Sequence, residues 1–158
     1  VKQRIARVQR LIELRERQLT EAVGFLTRAQ VSEHAALTKE QECRAKVTSA
    51  DAERRALATK EASAASYVEH ENWLETVVIQ HGRAFGEYRR AKAETLRCRQ
   101  GVQHARVSMK QVQLLLERLE QRQAEVARRV ERRNEDELAQ ALSARKAARV
   151  AAYTKKEY

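Results

Sequence analysis

The chain has 158 residues with no proline and only four glycines, so strands and tight turns lack their usual breakers and continuous helix is favoured. Charged residues make up 34%, aromatics make up 4%, and 26 alanines inflate the nominal 42% apolar content; this excludes a compact globule with a wide core and leaves helices with one narrow buried stripe. A net charge of +10, from 32 Lys and Arg against 22 Asp and Glu, favours acidic partners and makes nucleic acid a candidate.

Residues 1–20 carry six basic and two acidic side chains. They open a stripe at alternating three- and four-residue spacing: Ile5, Val8, Ile12, Leu19, Ala22, Leu26 and Ala29, interrupted by Arg15 and widened by Leu11, Leu14, Val23 and Phe25. From residue 33 onward Glu33 and Glu40 fall on the same stripe, and Ala36, Cys43, Val47, Ala50 and Leu57 continue it with smaller side chains. Small residues bury little area, so this stretch is expected to be less stable than the ends. The spacing predicts a first helix to about residue 62.

Residues 61–82 carry four acidic and no basic side chains. Ser66-Tyr67-Val68-Glu69 matches a capping box, predicting a short helix over about 67–81. His81-Gly82 suits a helix C-terminus with Gly82 in the left-handed conformation, and a turn is expected near 82–86. Residues 83–111 carry eight basic and two acidic side chains. The return stripe runs through Cys98, Val102, Ala105, Met109, Val112, Leu116, Leu119, Gln123, Val126 and Val130, and resumes shifted at Leu138, Leu142 and Val150, predicting a stutter near residue 134.

These elements predict an all-α fold: an extended antiparallel two-helix coiled-coil hairpin with a short helical tip region. It is read as one domain over 1–158, with a first arm at about 1–62, a tip with a short helix and turn at 63–86, and a return arm at 87–158. A single long helix dimerising in trans is the alternative; Gly82 and Gly86 near the midpoint, with a stripe on either side, favour the hairpin. Such a hairpin sets the first residues beside those around 140–155.

Motifs for chemistry are sparse. His34, His70, His81 and His104 have no ligand set at helical spacing, and Cys43 and Cys98 fit neither a metal nor a redox spacing. In the expected hairpin the two cysteines are too far apart for a disulfide. No nucleophile–base pair or phosphate loop is present. No metal, cofactor or small-molecule substrate is expected, and the chain is not read as an enzyme. No apolar run approaches the ~20 residues of a membrane span, and the charged N-terminus does not read as a signal peptide, so direct membrane insertion is not expected and the cytoplasm is.

The basic runs Arg89-Arg90-Ala91-Lys92, Arg128-Arg129, Arg132-Arg133 and Arg145-Lys146 are interleaved with acidic residues, as on a solvated helical surface, and few aromatics could stack on bases. Nucleic acid is therefore not expected as the primary partner. The region holding Tyr67, Trp73, Leu74, Val77, Val78, Ile79, Phe85 and Tyr88 concentrates bulky apolar residues, which suits both a packed tip and an exposed patch for a partner.

Arg7-Val8-Gln9-Arg10-Leu11-Ile12-Glu13-Leu14-Arg15-Glu16-Arg17 resembles the opening of the flagellar FliJ and injectisome YscO families. Arg132-Arg133-Asn134-Glu135-Asp136-Glu137-Leu138 resembles the acidic element near their C-terminus, and that element points to the injectisome branch. The resemblance implies a stalk of the type III secretion export apparatus, peripheral at the bacterial inner membrane. It implies an antiparallel two-helix coil whose terminal end sits in the hexameric export ATPase and whose distal part meets the export gate protein and secretion chaperones. Arg7, Val8, Arg10, Leu11 and Leu14, with Glu135, Asp136, Glu137 and Leu138, would then form the ATPase-proximal part. Tyr67, Trp73, Val77, Phe85 and Tyr88 become candidates for gate or chaperone contact on their apolar chemistry alone. A nucleic-acid-binding coiled coil and a homo-oligomeric scaffold are the competing expectations.

Overall fold

The computed structural model describes residues 2–154; the last four residues of the expected return arm lie outside them. The fold is an all-α helical hairpin: α1 (Lys2–Thr59) and α2 (Ala64–Thr154) pack against each other, and no strand occurs among the described residues. The helices contribute to two compact units, residues 14–109 and residues 2–13 with 110–154.

The first of these units contains the reversal. Only residues 60–63 separate the helices. α1 closes with the Lys60 amide donating to the Leu57 carbonyl at 3.2 Å and Thr59 Oγ1 donating to the Ala56 carbonyl at 2.8 Å. Glu61 then takes φ 38°, the left-handed geometry that glycine usually supplies after a helix. Ser63 caps α2: its Oγ accepts from the Ser66 amide at 3.3 Å, and its carbonyl accepts from the Tyr67 amide at 3.2 Å.

The expected cap is therefore one turn too late, with Ser63 in the role assigned to Ser66. The expected short helix at 67–81 and turn at 82–86 are replaced by uninterrupted α2. Gly82 and Gly86 both keep negative φ and ordinary helical geometry. They flank the inward row at His81, Ala84 and Tyr88 without belonging to it, so helix can run through them unbroken.

Burial follows the alternation read from the sequence. On α1 the buried or half-buried row in this unit runs Leu19, Ala22, Leu26, Ala29, Glu33, Ala36, Glu40, Cys43, Val47, Ala50, Arg54 and Leu57. On α2 the facing row includes His70, Leu74, Val77, His81, Ala84, Tyr88, Ala91, Thr95, Cys98 and Val102. Every step in both rows is three or four residues, the 3.5-residue period that keeps one stripe inward along a helix pair. The core is thin: Ala29, Cys43, Ala50, Ala84 and Val102 are buried, and Val77 and Thr95 are its largest fully buried side chains.

In the second unit, Ile5, Val8, Leu11 and Ile12 are half-buried, as are Gln113, Leu116, Leu119 and Gln123 around the buried Val112. From residue 124 to residue 153 every side chain is exposed, including Val126 and Val130 of the expected stripe. The first described residues are thus not set beside 140–153, as the expected hairpin would have them. With the reversal at 60–63 instead of 82–86, α2 has 91 residues against 58 in α1.

Candidate protein-binding surfaces

The unit of residues 14–109 encloses a charged site on its inward row. Glu40 is 2% exposed. Its Oε1 accepts from His81 Nε2 at 2.9 Å and from Arg44 at 2.8 Å. The hydrogen bond from His81 holds the Glu40 carboxyl below the ordinary 4.5 against the opposing effect of burial, with further help from the nearby Arg44 charge. A buried carboxylate needs such partners, because unpaired it is strongly destabilising. His81 also lies 6.3 Å, ring centre to ring centre, from Phe85.

Three further contacts join the helices here. Lys39 Nζ meets Glu87 at 2.9 Å, which lowers the Glu87 carboxyl and raises the Lys39 ammonium from their ordinary values. Arg54 meets Glu71 at 3.3 Å and its own-helix Asp51 at 3.3 Å. His70 Nδ1 donates to the Ser66 carbonyl at 3.1 Å, leaving Nε2 3.8 Å from Glu53. The Lys39–Glu87 and Arg54–Glu71 pairs are solvent-exposed and contribute more to alignment than to stability. Arg15 Nη1 donates to Gln18 at 2.9 Å, while its Nε is buried without a partner among the described residues.

The sequence-derived patches separate in the folded chain. Tyr67 and Tyr88 are half-buried, and Trp73 and Phe85 are exposed. Val77 is 0% exposed and belongs to the core, so it is withdrawn from the surface patch. Its place on the inward row follows from the seven-residue steps from His70 to Val77 to Ala84. Trp73, at 47% exposure, borders a shallow pocket with Glu69, His70, Asn72 and Thr76.

Of the other candidates, Arg7 and Arg10 are exposed and Val8 and Leu11 half-buried, within the unit of residues 2–13 and 110–154. Glu135, Asp136, Glu137 and Leu138 are exposed in that same unit. They follow the last half-buried residue, Gln123, by at least 12 positions, about 18 Å of helix, so the two sequence elements are not packed side by side. Leu14, also exposed, opens the other unit.

A surface absent from the sequence reading lies on the flank of α2. Phe85, Tyr88, Arg89, Lys92, Leu96 and Arg99 line an open groove of about 540 Å³. The Arg89 guanidinium stands 5.9 Å over the Phe85 ring and Lys92 Nζ 5.9 Å over the Tyr88 ring. The signal was present in the sequence: positions 85, 89, 92, 96 and 99 repeat the three–four alternation one face away from the core. Reading Arg89-Arg90-Ala91-Lys92 as a linear run hid it.

Among the described residues no helix is long and apolar enough to cross a membrane, and no group of three or more His, Cys, Asp or Glu side chains is placed to hold a metal ion. No family model, curated protein or solved structure matches the chain.

Proposed function

We propose that the protein is a coiled-coil stalk of a type III secretion export apparatus, engaging the hexameric export ATPase at the cytoplasmic side of a bacterial inner membrane. The observation that carries the reading is the location of the two family-like elements. Arg7 to Leu11 and Glu135 to Leu138 fall in the same structural unit and present exposed charges, Arg7 and Arg10 from one and Glu135, Asp136 and Glu137 from the other. The 3.5-residue period of the buried rows supports the coiled-coil part. Exposed Leu138 and Leu142 add apolar area for a protein partner. Gate or chaperone contact is assigned to the exposed Trp73 and Phe85 in the other unit.

The test is binding of the purified chain to the export ATPase of the same organism, at moderate salt with competitor nucleic acid. Saturable binding that changes ATPase turnover, and that Arg7→Glu with Arg10→Glu weakens while helicity is kept, is the expected result. No binding, with retention on nucleic acid that disappears as salt rises, overturns the stalk reading in favour of a nucleic-acid-binding coil. Stable self-association with no ATPase binding overturns it in favour of a scaffold.

A further inference from the structure

We propose that the flank of α2 from Phe85 to Arg106 is a docking groove for an acidic amphipathic helix of a partner protein. This goes beyond the stalk reading, with which it shares Phe85, and does not depend on it. Phe85, Arg89, Lys92, Leu96, Arg99 and Arg106 are all exposed and recur on one face of one helix. Phe85 and Leu96 are the apolar anchors, Leu96 being 57% exposed. They stand eleven positions apart, three turns or about 16 Å.

The four cations carry the charge argument. Arg89, Lys92, Arg99 and Arg106 have no carboxylate within ion-pair distance among the described residues, whereas Lys39, Arg44, Arg54, Arg55 and Arg97 each do. One carboxylate lines the groove, that of half-buried Glu33 on α1. The groove thus offers apolar anchors between unneutralised cations, with Arg89 and Lys92 resting over aromatic rings.

The complement is a helix with apolar residues at three–four spacing and carboxylates along its edges. Single-stranded nucleic acid fits less well, because base stacking needs open aromatic faces. Phe85 is the one exposed aromatic ring of the groove, Tyr88 is half-buried on the inward row, and the next aromatic after Tyr88 is Tyr153.

The experiment uses the full chain and a labelled synthetic peptide of about three heptads, with Leu at the seam positions and Glu beside them. A scrambled peptide of equal composition and a single-stranded oligonucleotide serve as comparisons, with fluorescence anisotropy as the readout. Expected are saturable binding of the patterned peptide and binding of the scrambled one that is weaker by about tenfold or more. Leu96→Ser, and separately Lys92→Glu with Arg99→Glu, weaken the patterned peptide by about tenfold or more. If charge reversal lowers helicity, Lys92→Gln with Arg99→Gln replaces it.

Four results overturn the proposal: no binding, equal binding of the scrambled peptide, binding indifferent to Leu96→Ser, or tighter binding of the oligonucleotide. A dimer of the chain that Leu96→Ser disrupts also overturns it, because the occupant is then a second copy.

Discussion

Glu40 on α1 and His81 on α2, 41 positions apart in sequence, meet at 2.9 Å between the packed helices. The contact places an ionised carboxylate between Ala36 and Cys43 on the inward row. It therefore couples the stability of the helix pair to pH.

The direction of that coupling follows from the lowered Glu40 value. A group held below its ordinary 4.5 in the folded protein contributes stability that is complete above that value and is lost as pH falls through the folded value. Thermal melts followed by circular dichroism should show Tm falling as pH drops below about 4.5. Glu40→Gln should flatten that acid limb. A limb of equal steepness in the variant would place the acid sensitivity elsewhere, with Glu87 the next residue to test. Replacing both partners, Glu40→Leu with His81→Leu, should raise Tm, whereas Glu40→Leu alone should not.

Gly82 and Glu61 make opposite demands on the backbone. Gly82 sits in mid-helix with nothing within 4 Å of an added Cβ, so Gly82→Ala should stabilise by about 0.5–1 kcal/mol. Glu61 holds φ 38°, so Glu61→Gly should stabilise by about 1 kcal/mol by relieving left-handed strain. Urea unfolding measures both. A destabilising Gly82→Ala would restore the turn at 82–86.

Val77 and Trp73 lie four positions apart and differ in burial. Val77→Ala should cost about 2 kcal/mol, because it removes two methyl groups from the fully buried row. Trp73→Ser, at a half-exposed site, should cost well under half as much while changing the response to any partner. Equal losses in urea unfolding would mean that Trp73 is structural.

Limited trypsinolysis should separate the exposed stretch of α2 from the packed unit. Arg128, Arg129, Arg132 and Arg133 lie where every side chain is exposed, whereas Arg44 and Arg54 are ion-paired within the packed unit. Cleavage at the first group should precede cleavage at the second, as mass spectrometry of a time course would show. Simultaneous cleavage would indicate that the packed unit opens as readily as the exposed stretch.

Much of the fold was legible because burial obeys a simple period. Ile5, Val8, Ile12 and Leu19 on α1 and Cys98 through Gln123 on α2 fall where spacing placed them, and so do the polar exceptions Arg15, Glu33 and Glu40. The turn was not legible for a local reason: the left-handed position is filled by Glu61 and the cap by Ser63, while glycine, the residue that usually marks a reversal, stands unused in mid-helix at 82 and 86. That one displacement hides the partner of Glu40, since a turn at 82–86 makes His81 a helix end. It also sets the first residues beside those around 140–155, whereas residues 140–153 are exposed. The cationic flank of α2 becomes legible only when cations are counted around the helix and not along the chain.

The Glu40–His81 contact also has a mechanical consequence. Displacing one helix past the other by seven residues would keep the stripes of apolar side chains matched but would bring Glu40 to Leu74 in one direction or to Tyr88 in the other. A carboxylate buried against Leu74 has no donor to replace His81. Small residues such as Ala50 and Ala84 offer little steric resistance to sliding, so the register rests on this polar contact together with the Lys39–Glu87 and Arg54–Glu71 pairs and the short connection at residues 60–63.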